Sequence, residues 1–119
     1  MKIYVTHSRD FDYENLLYRP IRESELNKLH DFILCYVDGQ SFDTKETIKD
    51  ADLVLAEVSV ASTGQGVELG WAEILGTPIL CIYQDGAKFS RSLKFITKDF
   101  ISYLDGEDLI EKLGMFLGK

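Results

Sequence analysis

Five short apolar runs recur along the chain, and each is followed by a polar loop and a segment of helical composition. They are KIYVT (2–6), FILCYV (32–37), DLVLAEV (52–58), PILCIY (78–83) and DFISYL (99–104). Strands alternating with helices predict a parallel sheet covered on both faces. The runs agree, because a strand buried on both faces loses its period-two alternation and reads as continuously apolar. The expectation is an α/β fold, a flavodoxin- or Rossmann-like three-layer sandwich. Its five-stranded parallel sheet would have order 2-1-3-4-5, within one domain over 1–119. In such sheets ligands bind beyond the carboxyl ends of the strands, where the first and third part company. Two loops are selected on that ground alone: Thr6 to Asp12, and Ser59 to Gln65.

The helical segments are read as ENLLYRPIRESELNKLHDF (14–32), TKETIKD (44–50), GVELGWAEILG (66–76) and GEDLIEKLGMFLG (106–118), with a short helix after the loop QDGAKFS. Pro20 predicts a kink in the first of these, or a second helix with Pro20 in its first turn. Gly76 and Pro78 predict the end of the third.

Composition excludes several classes. The net charge of −7 over 119 residues argues against a nucleic-acid surface, which needs a basic stripe. It leaves room for a small phosphate ligand, which needs only a few local donors. No apolar run approaches the ~18 residues of a membrane span. MKIYVTHS enters a strand directly, with no signal-peptide pattern. Cys35 and Cys81 lie inside apolar strands and read as buried free thiols; no metal-ligand set accompanies them. The expectation is a reduced, cytoplasmic protein with no metal, cofactor, nucleic acid or membrane partner.

The stretch STGQGVELGWAEILGTP (62–78) holds the most informative single residue. On a helix beginning near Gln65, Glu68 shares a face with Trp71, Ala72 and Leu75. The acid then lies beside the apolar stripe, one turn in, aimed at the crevice chosen by the sheet. A carboxylate there can act as a nucleophile or stabilise an oxocarbenium ion; it can also simply complement the helix dipole. The loop ASTGQG offers backbone N–H groups and the hydroxyls of Ser62 and Thr63, with glycines that admit a close approach. It lacks the lysine of a P-loop.

With these residues in view, ADLVLAEVSVASTGQGVELGWAEILGTPILCIY (51–83) resembles the nucleoside 2-deoxyribosyltransferase family, and most of all its 2'-deoxynucleoside 5'-phosphate N-hydrolases. The Asp-led strand, AEV, the Ser-x-Gly-x-Gly loop, ELG and the GxPIL strand stand without gaps. The resemblance implies that Glu68 is the nucleophile, that Tyr4 is a catalytic tyrosine of the first strand, and that Ser62, with Gly64 and Gly66, binds a 5'-phosphate. It implies a homodimer in which Ser92 reaches a neighbouring subunit's phosphate site. The hydrolases' glycine-rich loop after the first strand here reads HSRDFD, where Ser8 and Arg9 are the phosphate candidates and His7 a possible pocket residue. The family's catalytic aspartate falls at Thr44; Asp43 beside it is a candidate acid, or the N-cap of the following helix.

The expected function is cleavage of the base from a 2'-deoxynucleoside 5'-monophosphate through a glutamate nucleophile. The alternatives are a nucleoside 2-deoxyribosyltransferase and a non-catalytic nucleotide-binding domain of the same fold. Tyr4, Trp71 or Tyr83 would stack on base or sugar.

Overall fold

The computed structural model describes residues 1–34 and 44–118. Its strands are β1 (Lys2–Thr6), β2 (Asp31–Leu34), β3 (Leu53–Glu57), β4 (Ile79–Gln84) and β5 (Phe100–Tyr103). All pair in parallel, in the order β2-β1-β3-β4-β5. The expected architecture is therefore present. β3 is the central strand and all five of its residues are buried, which is why its sequence shows no alternation.

Side-chain alternation divides the core into two layers. Ile3, Val5, Leu53 and Leu55 face one side, against Leu17, Tyr18, Ile21, Leu109 and Leu113. Tyr4, Val54, Ala56 and Cys81 face the other, against Ile48, Leu69 and Ala72. The first layer is covered by a π-helical turn (Glu14–Tyr18), α1 (Arg19–Arg22), α2 (Leu26–Leu29) and α5 (Gly106–Leu117). The second is covered by α3 (Thr44–Asp50), α4 (Thr63–Leu75) and a 3₁₀ turn (Arg91–Phe95). No helix among the described residues is long and apolar enough to cross a membrane.

Pro20 adopts the second of the two arrangements its position predicts, a short helix followed by another with the proline in its first turn. It stands in the first turn of α1, directly after the π-helical turn. Proline has no N–H and its ring crowds the carbonyl four residues back, and a widened preceding turn relieves both demands. A further interruption comes at residues 23–25, between α1 and α2. Pro20 also supports α5: a Cβ added at Gly106 would lie 2.9 Å from the Pro20 Cγ. Only glycine lets α5 start that close.

α4 begins earlier than the sequence suggests. Ser62 is its N-cap, with Oγ accepting from the Gln65 N–H at 3.4 Å. Gly64, before the expected start, thus belongs with Gly66 to the first helical turn, and neither has a positive φ. Gly76 ends α4 in the left-handed region at φ 78°, as its position predicts. Cys81 is a buried free thiol in β4, and burial pushes its pKa up to about 12. Cys35 lies outside the described residues.

Candidate active site

Glu68 is partly buried on α4, over the carboxyl ends of β1 and β3. Both of its oxygens accept hydrogen bonds from β1. The Tyr4 hydroxyl donates to Oε2 at 2.9 Å, and the Thr6 hydroxyl donates to Oε1 at 2.5 Å. Tyr4 and Thr6 are two residues apart on one strand, so both side chains point to the α4 layer. Each is 1% exposed, so the carboxylate is held from its buried side by fixed donors. Tyr4 was expected at the site; Thr6 was not. A single polar residue closing an apolar strand, in phase with Tyr4, was the available signal.

Gln65 is buried and was also not foreseen. Its Nε2 donates to the backbone carbonyls of Glu57 (2.8 Å) and Thr6 (3.2 Å). A third unforeseen residue, Glu57, lies on the opposite layer of β3. Its carboxylate accepts from the Ser59 N–H (2.6 Å), the Ser59 hydroxyl (2.9 Å) and the Tyr103 hydroxyl. Burial pushes the Glu57 carboxyl above the usual carboxylate range, and the Tyr103 and Ser59 hydrogen bonds pull the other way. Burial and the nearby Glu57 also raise Tyr103. The Ser59 hydroxyl oxygen accepts in addition from the Gln84 N–H at 2.8 Å, which ties the β3–α4 loop to the end of β4.

The remaining candidates are more dispersed. Ser8 is buried, and its hydroxyl oxygen accepts from the Asp10 N–H at 3.1 Å in a tight turn after β1; Arg9 is exposed on that turn. His7 is not a pocket residue. Its side chain enters the other layer, where it stacks on Tyr13 with ring centroids 4.5 Å apart. Its Nδ1 donates to the Ser8 carbonyl (2.9 Å), which leaves Nε2 to accept from the Tyr18 hydroxyl (2.7 Å). Burial lowers its pKa. Tyr83 packs on Phe89 at 4.8 Å, and Trp71, half-buried on α4, has the Lys45 ammonium 5.1 Å from its ring centroid. Thr44 is the first residue of α3; Asp43 lies outside the described residues.

Ser62 and Ser92 line one 480 Å³ cavity between α4 and the 3₁₀ turn, together with Gly66, Leu69 and Gly70. Glu68 does not line it. Residues 62, 66, 69 and 70 share one flank of the helix, and residue 68 projects from another. A Cβ at Gly64, Gly66 or Gly70 would meet nothing within 4 Å, so the backbone of the first two turns of α4 is open to approach.

No family model matches the sequence. The mouse (Mus musculus) 5-hydroxymethyl-dUMP N-hydrolase is 51% identical over 49 residues, which are 40% of this chain and 28% of that protein. The chain's match spans between 28% and 32% of the length of the curated relatives. The structure of a CMP N-glycosidase from Clostridium botulinum superposes with a TM-score of 0.70 at 20% identity, covering 98% of this chain and 99% of that one. A 2-deoxyribosyltransferase from Bacillus psychrosaccharolyticus gives 0.60 at 23% identity, covering 92% and 90%. The chain thus resembles the nucleoside 2-deoxyribosyltransferase family and its deoxynucleotide N-hydrolases, in sequence over part of its length and in fold over nearly all of it.

Proposed function

We propose that this chain, alike in fold to nucleoside 2-deoxyribosyltransferases and in local sequence to deoxynucleotide N-hydrolases, is an N-glycosidase. It would release the base from a 2'-deoxynucleoside 5'-monophosphate. One observation supports this most: a partly buried carboxylate, Glu68, sits at the switch point of the sheet with each oxygen held by a hydroxyl from β1. A carboxylate so oriented can attack an anomeric carbon. A Glu68 oxygen bonds to C1', and the C1'–N bond breaks with its electron pair leaving on the base. The base takes up a proton, with Asp43 the candidate donor. Water then attacks C1' and gives a proton back to the acid that protonated the base, the glycosyl ester breaks, and 2-deoxyribose 5-phosphate leaves with Glu68 regenerated. A 2-deoxy sugar lacks an electron-withdrawing 2'-hydroxyl, which eases the oxocarbenium-like transition state.

The phosphate would lie at the start of α4, against the Ser62 hydroxyl and the open backbone at Gly64 and Gly66, where the helix terminus favours an anion. Ser8 and Arg9, on the turn after β1, are the further phosphate candidates. Ser92 lines the Ser62 cavity within one protomer; its role at a neighbouring subunit's phosphate in a homodimer is what the resemblance implies. Ile74 on α4 is 83% exposed and Phe95 on the 3₁₀ turn is 88% exposed, apolar groups that such an assembly could cover.

Thr44, at the position of the family's aspartate, favours a second reading: a pocket that binds nucleotides without turning them over. Incubation with a panel of deoxynucleosides and their 5'-monophosphates, followed by chromatography, separates the readings. Free base with 2-deoxyribose 5-phosphate supports the hydrolase. A new nucleoside on addition of a second base supports the transferase. Nucleotide binding without released base supports the non-catalytic domain.

A further inference from the structure

Gln65, Thr6 and Glu68 close a ring between α4 and β1. The Gln65 side-chain amide donates to the Thr6 carbonyl, the Thr6 hydroxyl donates to Glu68 Oε1, and Glu68 returns to Gln65 through one turn of α4. The setting explains the amide. After Thr6 and Glu57 the chain leaves for opposite faces of the sheet, so the ladder ends and these carbonyls need donors from elsewhere. A primary amide has two N–H groups, and Gln65 is placed to give one to each carbonyl. With both used and the side chain 5% exposed, Gln65 has one satisfied arrangement. The first turn of α4 is thereby tied to β1 and β3 together, three residues before the nucleophile.

We propose that Gln65 and Thr6 are positioning residues that set the Glu68 carboxylate for attack, Gln65 by registering α4 on the two strands and Thr6 by fixing Oε1. This rests on Glu68 acting as the nucleophile. Neither residue needs to touch the substrate. Their loss should therefore lower kcat and leave KM nearly unchanged, because a shift of about 1 Å at a reacting group can cost about 100-fold in rate.

The test uses Thr6→Val, which keeps the shape and removes the hydroxyl, Thr6→Ser, which restores it, and Gln65→Met, which removes the amide. Thr6→Val and Gln65→Met are expected to lower kcat by about 10- to 100-fold with KM within about threefold, and Thr6→Ser to stay within about threefold of the parent in both. The carboxyl-carbon NMR resonance of Glu68, assigned by its loss in Glu68→Gln, should move in Gln65→Met although that change is a helical turn away. If Gln65→Met does not fold, Gln65→Asn, one methylene too short for both carbonyls, replaces it. The proposal is overturned by a Gln65 variant with the parent's Glu68 resonance, by losses confined to KM, by rates that fall only with the folded fraction, or by failure of Thr6→Ser to rescue. If the parent releases no base from any substrate, the hydrolase reading fails, and the resonance still decides the positioning.

Discussion

The Tyr4 hydroxyl and the Glu68 carboxylate are 64 positions apart in the chain and 2.9 Å apart in space. The contact joins the first strand to the fourth helix at the point where the sheet reverses its winding. Glu68→Gln keeps the size of the side chain and removes the proposed nucleophile, so on that proposal it should abolish base release and leave the fold intact. A Glu68 that only complemented the helix dipole would show no loss of turnover on substitution, and a stability change of about 0.3–1 kcal/mol. Chromatographic rates and a denaturation curve on the same sample distinguish the two.

Ser62 has two roles to separate. Its hydroxyl oxygen accepts from the Gln65 N–H as the N-cap of α4, and the hydroxyl hydrogen is available to a phosphate oxygen. Ser62→Ala should weaken deoxynucleotide binding by about 1.5–3 kcal/mol, the range for a hydrogen bond to a charged group. It should also cost about 1 kcal/mol of stability through the lost cap. Calorimetric titration with a nucleoside and its 5'-monophosphate isolates the first effect. Equal losses for both ligands would remove the phosphate from this position.

The legible parts of the sequence were those set by pattern. DLVLAEV reads as a strand buried on both faces because every residue in its core is apolar or ends the strand, and β3 is fully buried. Gly76 marks the end of α4 because it needs a left-handed backbone. The residues that escaped notice were polar groups whose partners are remote in sequence. Thr6 reads as a strand end until α4 is laid over it, and Gln65 reads as a loop residue until two diverging strands leave carbonyls beneath it. The start of α4 was misplaced because glycines suggest a loop, while the Ser62 cap brings them into the helix. His7, a possible pocket residue by sequence, follows Thr6 and so faces the other layer, against Tyr13 and Tyr18.

Glu57 makes stability depend on pH in a direction opposite to that of an ion-paired carboxylate. Burial raises its pKa in the folded protein, so the folded state holds this proton more tightly than the unfolded one. Its contribution is full below the ordinary carboxylate pKa of about 4.3 and is lost as pH rises through the raised value. Glu57→Gln has no such proton to lose. Urea denaturation from about pH 4 to pH 8 should therefore show the parent losing stability relative to Glu57→Gln as pH rises. A difference between the two that is flat, or that moves the other way, would contradict the assignment.

The proposed homodimer leads to a complementation experiment. In one protomer, Ser92 lines the cavity with Ser62, while Glu68 projects from a different flank of α4. In the proposed dimer, as the resemblance implies, a substrate at Glu68 would meet Ser92 of the partner subunit, and each of two sites would draw on both chains. The single variants Glu68→Ala and Ser92→Ala should each be impaired. After mixing and subunit exchange, about half the dimers are heterodimers if association is random. In these, one site holds the intact Glu68 with the intact partner Ser92, and the other holds both substitutions. Activity should recover to about one quarter of the parent per mole of total protein, since half the dimers carry one working site of two. Light scattering on the same mixture establishes whether dimers are present. Impaired parents that show no recovery in exchanged dimers would place Ser92 outside the neighbouring site, and full activity from a monomer would remove the dimer from the mechanism.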